Sequence, residues 1–139
     1  MVRKYNELDI QKIIDLGQEV NEKFTKLFNI QELPEKEMII VYEEDGNVIG
    51  FLHVLINVDW LEILNLVVDK EYRGQGIASI LLDNLLSDQT IDVSRILLEV
   101  RESNIAAINL YKKFNFFIIN GREKYYGNEN AVIMERGNE

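Results

Sequence analysis

One segment constrains this chain more than any other: Leu66-Val67-Val68-Asp69-Lys70-Glu71-Tyr72-Arg73-Gly74-Gln75-Gly76-Ile77-Ala78. An apolar run stops, polar and bulky residues follow, and Arg-Gly-x-Gly opens a new apolar pattern of Ile77, Leu81, Leu82, Leu85 and Leu86. That order predicts a strand, a loop and a helix, with glycines where the loop meets the helix. A glycine there lets backbone approach a ligand closely, and the unpaired N–H groups of the first helical turn attract anions. The expected ligand is a phosphate.

Several owners of that phosphate can be weighed. A Walker loop needs Lys-Ser/Thr after its second glycine, and Gly76 is followed by Ile77-Ala78. A dinucleotide fingerprint finds two glycines in Gly74 and Gly76, and Glu99 lies about 20 residues on, where a ribose-binding acid would sit. Its third glycine is Ser79, however, and Asp69–Arg73 intervene where that fold turns at once from strand to glycine. The chain left after this segment is also too short to finish a doubly wound sheet. The hexapeptide Arg73-Gly74-Gln75-Gly76-Ile77-Ala78 resembles the R/Q-x-x-G-x-G/A pyrophosphate loop of acetyl-CoA-dependent acyltransferases. A plain surface turn at a helix start also fits it.

The remaining elements place this segment in a mixed sheet. Residues 2–5 suit a short first strand. From Asp9, a candidate N-cap, Ile10, Ile13, Ile14, Leu16, Val20 and Phe24 recur at helical spacing, with Gly17 inside the run and Pro34 closing the region. Strands are expected at 38–42 and 48–58 around an Asp45-Gly46-Asn47 hairpin turn, and again at 61–68. A helix over 76–87, a buried strand over 94–100, a helix over 104–114 and closing strands at 116–120 and 131–135 complete the order. The expected fold class is α/β with one mixed sheet and helices on both faces, in a single domain over residues 1–139.

Composition narrows the chemistry. The 139 residues are 47% hydrophobic and 28% charged, as in ordinary globular proteins. Without cysteine and with one histidine, disulfide, thiol and zinc chemistry are not expected, and no metal is. Met1-Val2-Arg3-Lys4 leads into polar residues, so no signal peptide is expected. The apolar run Val48–Val58 is about half a membrane span and is broken by His53 and Asn57, so a cytoplasmic protein without a membrane partner is expected. A net charge of −9 offers no basic footprint for nucleic acid and would instead draw a cationic substrate, although solubility alone also accounts for it.

Two residues could carry proton transfers. In the Ile96–Val100 strand, alternation sets Leu97, Glu99 and Arg101 on one face. A partly desolvated Glu99 would be a base near neutral pH; paired with Arg101 or a lysine it would be a solvated charge. Asn104, Ala107, Ile108 and Tyr111 fall on one helix stripe. Tyr111 is either a core tyrosine or a donor of a proton to a leaving thiolate. His53 lies among apolar strand residues and suits a structural or solvent-facing place, since no G-x-S-x-G elbow accompanies it. Tyr125-Tyr126-Gly127 suits either a substrate-contacting edge or a turn.

Together these pieces resemble the GNAT superfamily of acetyl-CoA-dependent N-acetyltransferases. Beside the glycine loop, Asn104–Phe116 matches N-x-x-A-x-x-L-Y-x-x-x-G-F, with Asn115 where glycine is usual. Leu98–Asn104, Arg122–Tyr126 and Ala131–Met134 look most like the ribosomal-protein alanine N-acetyltransferases, although Phe28-Asn29 replaces their Pro-Trp pair. The resemblance implies a central, mostly antiparallel sheet splayed at its fourth and fifth strands. It implies that backbone at Leu66 and Val68 holds the pantetheine arm. It assigns the pyrophosphate to the N–H groups of Arg73, Gly74, Gln75, Gly76, Ile77, Ala78 and Ser79, and a further pantetheine contact to Asn104. Val68 N–H would stabilise the oxyanion, Glu99 would take the amine proton, directly or through water, and Tyr111 would protonate the departing thiolate. Residues 1–40 would shape the acceptor site.

The implied activity is transfer of acetyl from acetyl-CoA to a primary amine by direct attack, in a monomer or homodimer. An α-amine of pKa about 7.7–8.0 is far more neutral at pH 7.4 than a lysine near 10.4, a gap of about 3–4 kcal/mol in deprotonation. A protein N-terminal amine is therefore the favoured acceptor. A polyamine or aminoglycoside, or a non-catalytic CoA-binding module, are the alternatives.

Overall fold

Asp45 and Gly46, with φ of 51° and 81°, make the tight turn that an Asp-Gly pair favours between β2 (Glu37–Glu44) and β3 (Asn47–Ile56). The computed structural model describes residues 1–126 and 129–137; the side chains of 124–126 are not described. Its other strands are β1 (Val2–Lys4), β4 (Trp60–Val68), β5 (Arg95–Arg101), β6 (Phe117–Tyr126) and β7 (Glu129–Gly137). Helices α1 (Ile10–Val20), α2 (Phe24–Leu27), α3 (Ile77–Leu86) and α4 (Ile105–Lys113) complete the order. The sheet runs β1-β2-β3-β4-β5-β7-β6 and is mixed, as expected. Its register is antiparallel throughout β1–β2, β2–β3, β5–β7 and β6–β7, and parallel between β4 and β5. The parallel register covers Trp60–Ile63 against Arg95–Leu98; Leu64–Val68 and Glu99–Arg101 lie beyond it.

The chain forms two compact units, Met1–Leu55 with Asn65–Ile91, and Ile56–Leu64 with Asp92–Glu139. In the first, alternation along β3 sends Phe51 into a core with Ile13, Leu16, Phe24, Ile39, Val41 and Val67, while Gly50 meets α3 on the opposite face. Helices therefore cover both faces of these strands. The helical region before Pro34 breaks in two at Asn21–Lys23. Gly17 makes the break productive: a Cβ there would sit 2.5 Å from the Phe24 ring, so only glycine lets α2 lay that ring across α1. Asp9 does not cap α1 with its side chain. It closes a capping box with Asn6 and accepts from Arg3, which also donates to Glu43, tying the first strand and first helix together. The Arg3 hydrogen bond holds the Asp9 carboxyl below its ordinary range.

In the second unit, Ile96, Leu98 and Val100 of β5 are buried, as are Ala131 and Met134 of β7 and Ile108, Tyr111 and Phe116 of the α4 region. Asn115 follows α4 at φ 68°, the left-handed turn usually given to glycine and tolerated by asparagine. Phe116 N–H then donates to Tyr111 C=O and closes the helix end. Strands β6 and β7 run longer than their apolar cores, because Gly121 and Arg122 continue the ladder against Val132 and Ala131.

Candidate active site

The glycine loop of the first unit ends in a row of backbone amides at a helix start. Asp69 N–H donates to Ile49 C=O, and the Asp69 side chain accepts from Glu71 N–H, so a single 3-10 turn over Lys70–Tyr72 leaves β4 on a fixed course. Gly74 and Gly76 both have φ of 81°, and nothing lies within 4 Å of a Cβ built on either. Conformation, not crowding, requires glycine there. Gly76 is the N-cap of α3 and carries no side-chain cap, and the first intrahelical bond is Ile80 N–H to Gly76 C=O. The amides of Ile77, Ala78 and Ser79 precede that bond, with the positive end of the helix dipole behind them. Arg73 folds back so that its Nε–H donates to Val68 C=O at 3.3 Å.

Gly50 was not singled out from sequence, yet it sets how closely α3 starts against the sheet. A Cβ there would lie 3.1 Å from Val67 C=O and 3.3 Å from Ile77 Cγ2. The signal was present as a lone glycine inside an apolar strand, which often marks close approach of another backbone.

The second unit gathers the titratable groups. Glu62 of β4 stands opposite Leu97, and Glu99 follows two residues on along the same face of β5. Arg122 of β6 donates through Nη1 to both Glu99 oxygens, at 3.2 and 3.4 Å. The partner of Glu99 is thus Arg122 rather than Arg101, whose own carboxylate contact is Glu129. Burial pushes the Glu62 carboxyl above its ordinary range, the Glu99 charge adds to that rise, and Arg122 opposes it. Glu62 is thus the carboxyl of this group that its surroundings push upward. It is the one charged residue in the apolar run of β4, so the reasoning applied to Glu99 could have found it.

Tyr111 is 7% exposed and packs edge-on against Phe116. Burial raises its pKa, and its hydroxyl makes no hydrogen bond among the described residues, so its proton is held and uncommitted. Asn104 caps α4, accepting from Ala107 N–H at 3.2 Å. His53 is fully buried rather than solvent-facing. Of Tyr125-Tyr126-Gly127, the two tyrosines lie in β6, while their side chains and Gly127 fall outside the described residues. Among the described residues no group of three or more His, Cys, Asp or Glu could hold a metal ion, and no helix is long and apolar enough to cross a membrane.

Known proteins resemble the chain in sequence and fold. The model of the acetyltransferase (GNAT) family matches residues 6–116. The bS18-alanine N-acetyltransferase of Haemophilus ducreyi is 32% identical over 136 residues, covering 83% of this chain and 94% of that protein. The crystal structure of the ribosomal-protein-S18-alanine N-acetyltransferase of Escherichia coli superposes with a TM-score of 0.86 at 25% identity, covering 99% of this chain and 93% of that one. Ard1 of Thermoplasma volcanium gives 0.85 at 28% identity, covering 99% and 96%. The chain belongs to the GNAT family of acetyltransferases. It is an N-acetyltransferase, which moves acetyl from acetyl-CoA to an amine.

Proposed function

We propose that the acceptor is the α-amine of a protein N terminus, with the N-terminal alanine of ribosomal protein bS18 the first candidate. The relatives named for that alanine support this reading. The observation that carries it is the Glu62–Glu99–Arg122 arrangement, in which burial and a neighbouring charge raise one carboxyl above its ordinary range. A modest base suits an α-amine, which needs about 3–4 kcal/mol less to deprotonate than a lysine.

In this reading the chain works as one acetyltransferase domain in the cytoplasm. Backbone at Leu66 and Val68 holds the pantetheine arm, the amides of Arg73–Ser79 hold the pyrophosphate, and the Nδ2 of Asn104, free of the helix cap, contacts the pantetheine. Glu62 takes the amine proton, directly or through a water, and Glu99 keeps Arg122 in place and raises the basicity of Glu62. The amine nitrogen forms its bond to the acetyl carbonyl carbon. Val68 N–H stabilises the resulting oxyanion. As the carbon–sulfur bond breaks, Tyr111 gives its hydroxyl proton to the thiolate and regains one from solvent. The chain has no cysteine to carry the acetyl, so the attack is direct.

The test follows release of free CoA thiol against N-terminal peptides, acetyl-blocked lysine peptides and polyamines. Turnover confined to free N termini supports the reading. Turnover on polyamines alone, weakening steeply with salt, would instead favour a small cationic acceptor drawn by the −9 charge.

A further inference from the structure

His53 is 0% exposed and bonded on both sides. Its Nε2 lies 2.6 Å from Glu37 Oε1 and its Nδ1 lies 3.0 Å from Asn65 Nδ2. A carboxylate can only accept, so Nε2 carries the hydrogen. Burial lowers the imidazole pKa against the opposing pull of Glu37, so the ring is neutral and its Nδ1 is a bare acceptor. Asn65 must then present its N–H to the ring, which turns its carbonyl oxygen away. One tautomer satisfies the chain Asn65→His53→Glu37 and fixes the orientation of both outer side chains.

Each end of that chain keeps an unused oxygen. Glu37 Oε2 and Asn65 Oδ1 accept no hydrogen bond among the described residues, and neither is among the buried atoms that lack a partner, so both are open to solvent. The Glu37 side chain is 15% exposed and makes no ion pair with a lysine or arginine among the described residues, although Lys4 lines the same cavity. A purely structural role for a buried histidine needs one acceptor and one donor, which backbone could supply. Here a carboxylate and a carboxamide are used, and each leaves an acceptor pointing outward. Their places in the first unit fit recognition. Glu37 opens β2 directly after the 28–36 segment, whose Phe28 packs edge-on to His53 at 5.4 Å. Glu37 also lines a cavity of about 310 Å³ with Lys4, Tyr5, Leu33, Pro34 and Glu35. Asn65 immediately precedes Leu66 in β4.

We infer that His53 is a positioning residue for the acceptor: it holds Glu37 and Asn65 so that one oxygen of each receives N–H groups of a basic peptide. The inference rests on the proposed peptide acceptor and adds to it a preference for acceptor peptides bearing cationic side chains. Glu37→Gln keeps an oxygen for His53 and removes the charge. It should raise the acceptor KM about tenfold for a peptide with an arginine close to its N terminus, the usual worth of one charge-assisted bond. For the matched uncharged peptide the KM should hardly change, and the KM for acetyl-CoA should stay within twofold for both. Asn65→Leu should raise the acceptor KM for both peptides. Should a variant fold poorly, the wild-type enzyme still decides: raising ionic strength should raise the KM of the arginine peptide and spare the uncharged one. Equal KM values for wild type and Glu37→Gln, or equal losses toward acetyl-CoA and both peptides, would overturn the inference. If no peptide is acetylated by the wild type, the acceptor reading itself fails. Calorimetric binding of the two peptides to the CoA-loaded protein then tests the Glu37 preference separately.

Discussion

At the scale of single residues, the chemistry divides between groups whose proton affinity the fold has shifted and groups it has merely oriented. Glu62 is shifted upward by burial and by Glu99. Its protonated form is thus favoured in the folded state. The associated stability is complete below the unfolded pKa, near 4.3, and is lost as pH rises through the higher folded value. Glu62→Gln should accordingly melt at a higher temperature than wild type at pH 8, with the difference vanishing near pH 4. The same substitution should lower kcat/KM by about 10²-fold or more, the usual worth of a general base, and abolish the acidic limb of the pH–rate profile. A Glu62→Gln enzyme with a wild-type profile would move the base elsewhere. Tyr111→Phe removes only a hydroxyl that has no partner among the described residues. It should leave melting nearly unchanged and lower kcat by about 10²-fold, with CoA affinity preserved. A kcat within twofold of wild type would make Tyr111 a core residue only.

At the scale of elements, the strand–loop–helix segment behaves as its sequence predicts, because each of its steps has a local cause. The apolar run makes β4, Asp69 turns the chain, and two glycines at φ 81° open α3. Gly76→Ala would place a side chain in a left-handed conformation at a cost of about 1 kcal/mol, and should weaken CoA binding more than it lowers stability. Gly50 obeys a different constraint. A methyl group there presses on Val67 C=O and Ile77, so Gly50→Val should displace the start of α3, cost about 1–3 kcal/mol and raise the KM for acetyl-CoA. Comparing melting curves with and without CoA separates the two effects, and unchanged CoA protection in Gly50→Val would contradict this account of α3. What sequence did not reveal at this scale was tertiary in origin. The break between α1 and α2 depends on Phe24 finding the space at Gly17. The longer reach of β6 and β7 depends on each supplying the other's ladder.

At the scale of the whole molecule, the type of each element and its place along the chain were legible because hydrophobic period and turn chemistry are local. The site was half legible. The glycine loop, Glu99, Asn104 and Tyr111 stand out in motifs, and each was located on the element expected. Glu62, Arg122 and the Glu37–His53–Asn65 chain did not stand out, because their meaning lies in partners distant in sequence. Glu99 read alone is a candidate base; its partner Arg122 and the neighbouring Glu62 on the same face, on which the proposed reading turns, come from other strands. His53 affects stability as a whole. Its lowered pKa keeps it neutral in the fold, so its contribution is complete above the unfolded value near 6.5 and declines as pH falls toward the folded one. The melting temperature should therefore fall on acidification below about pH 6.5 more steeply in wild type than in His53→Gln, and parallel curves would count against it.

The central claim, acetyl transfer to a protein N terminus, is tested most directly by locating the product. A peptide with a free N-terminal alanine and an internal lysine is incubated with acetyl-CoA and enzyme, then fragmented by tandem mass spectrometry. The account predicts one added acetyl group, carried by the first-residue fragment. An acetyl group on the lysine side chain, with the alanine nitrogen unmodified, would contradict it.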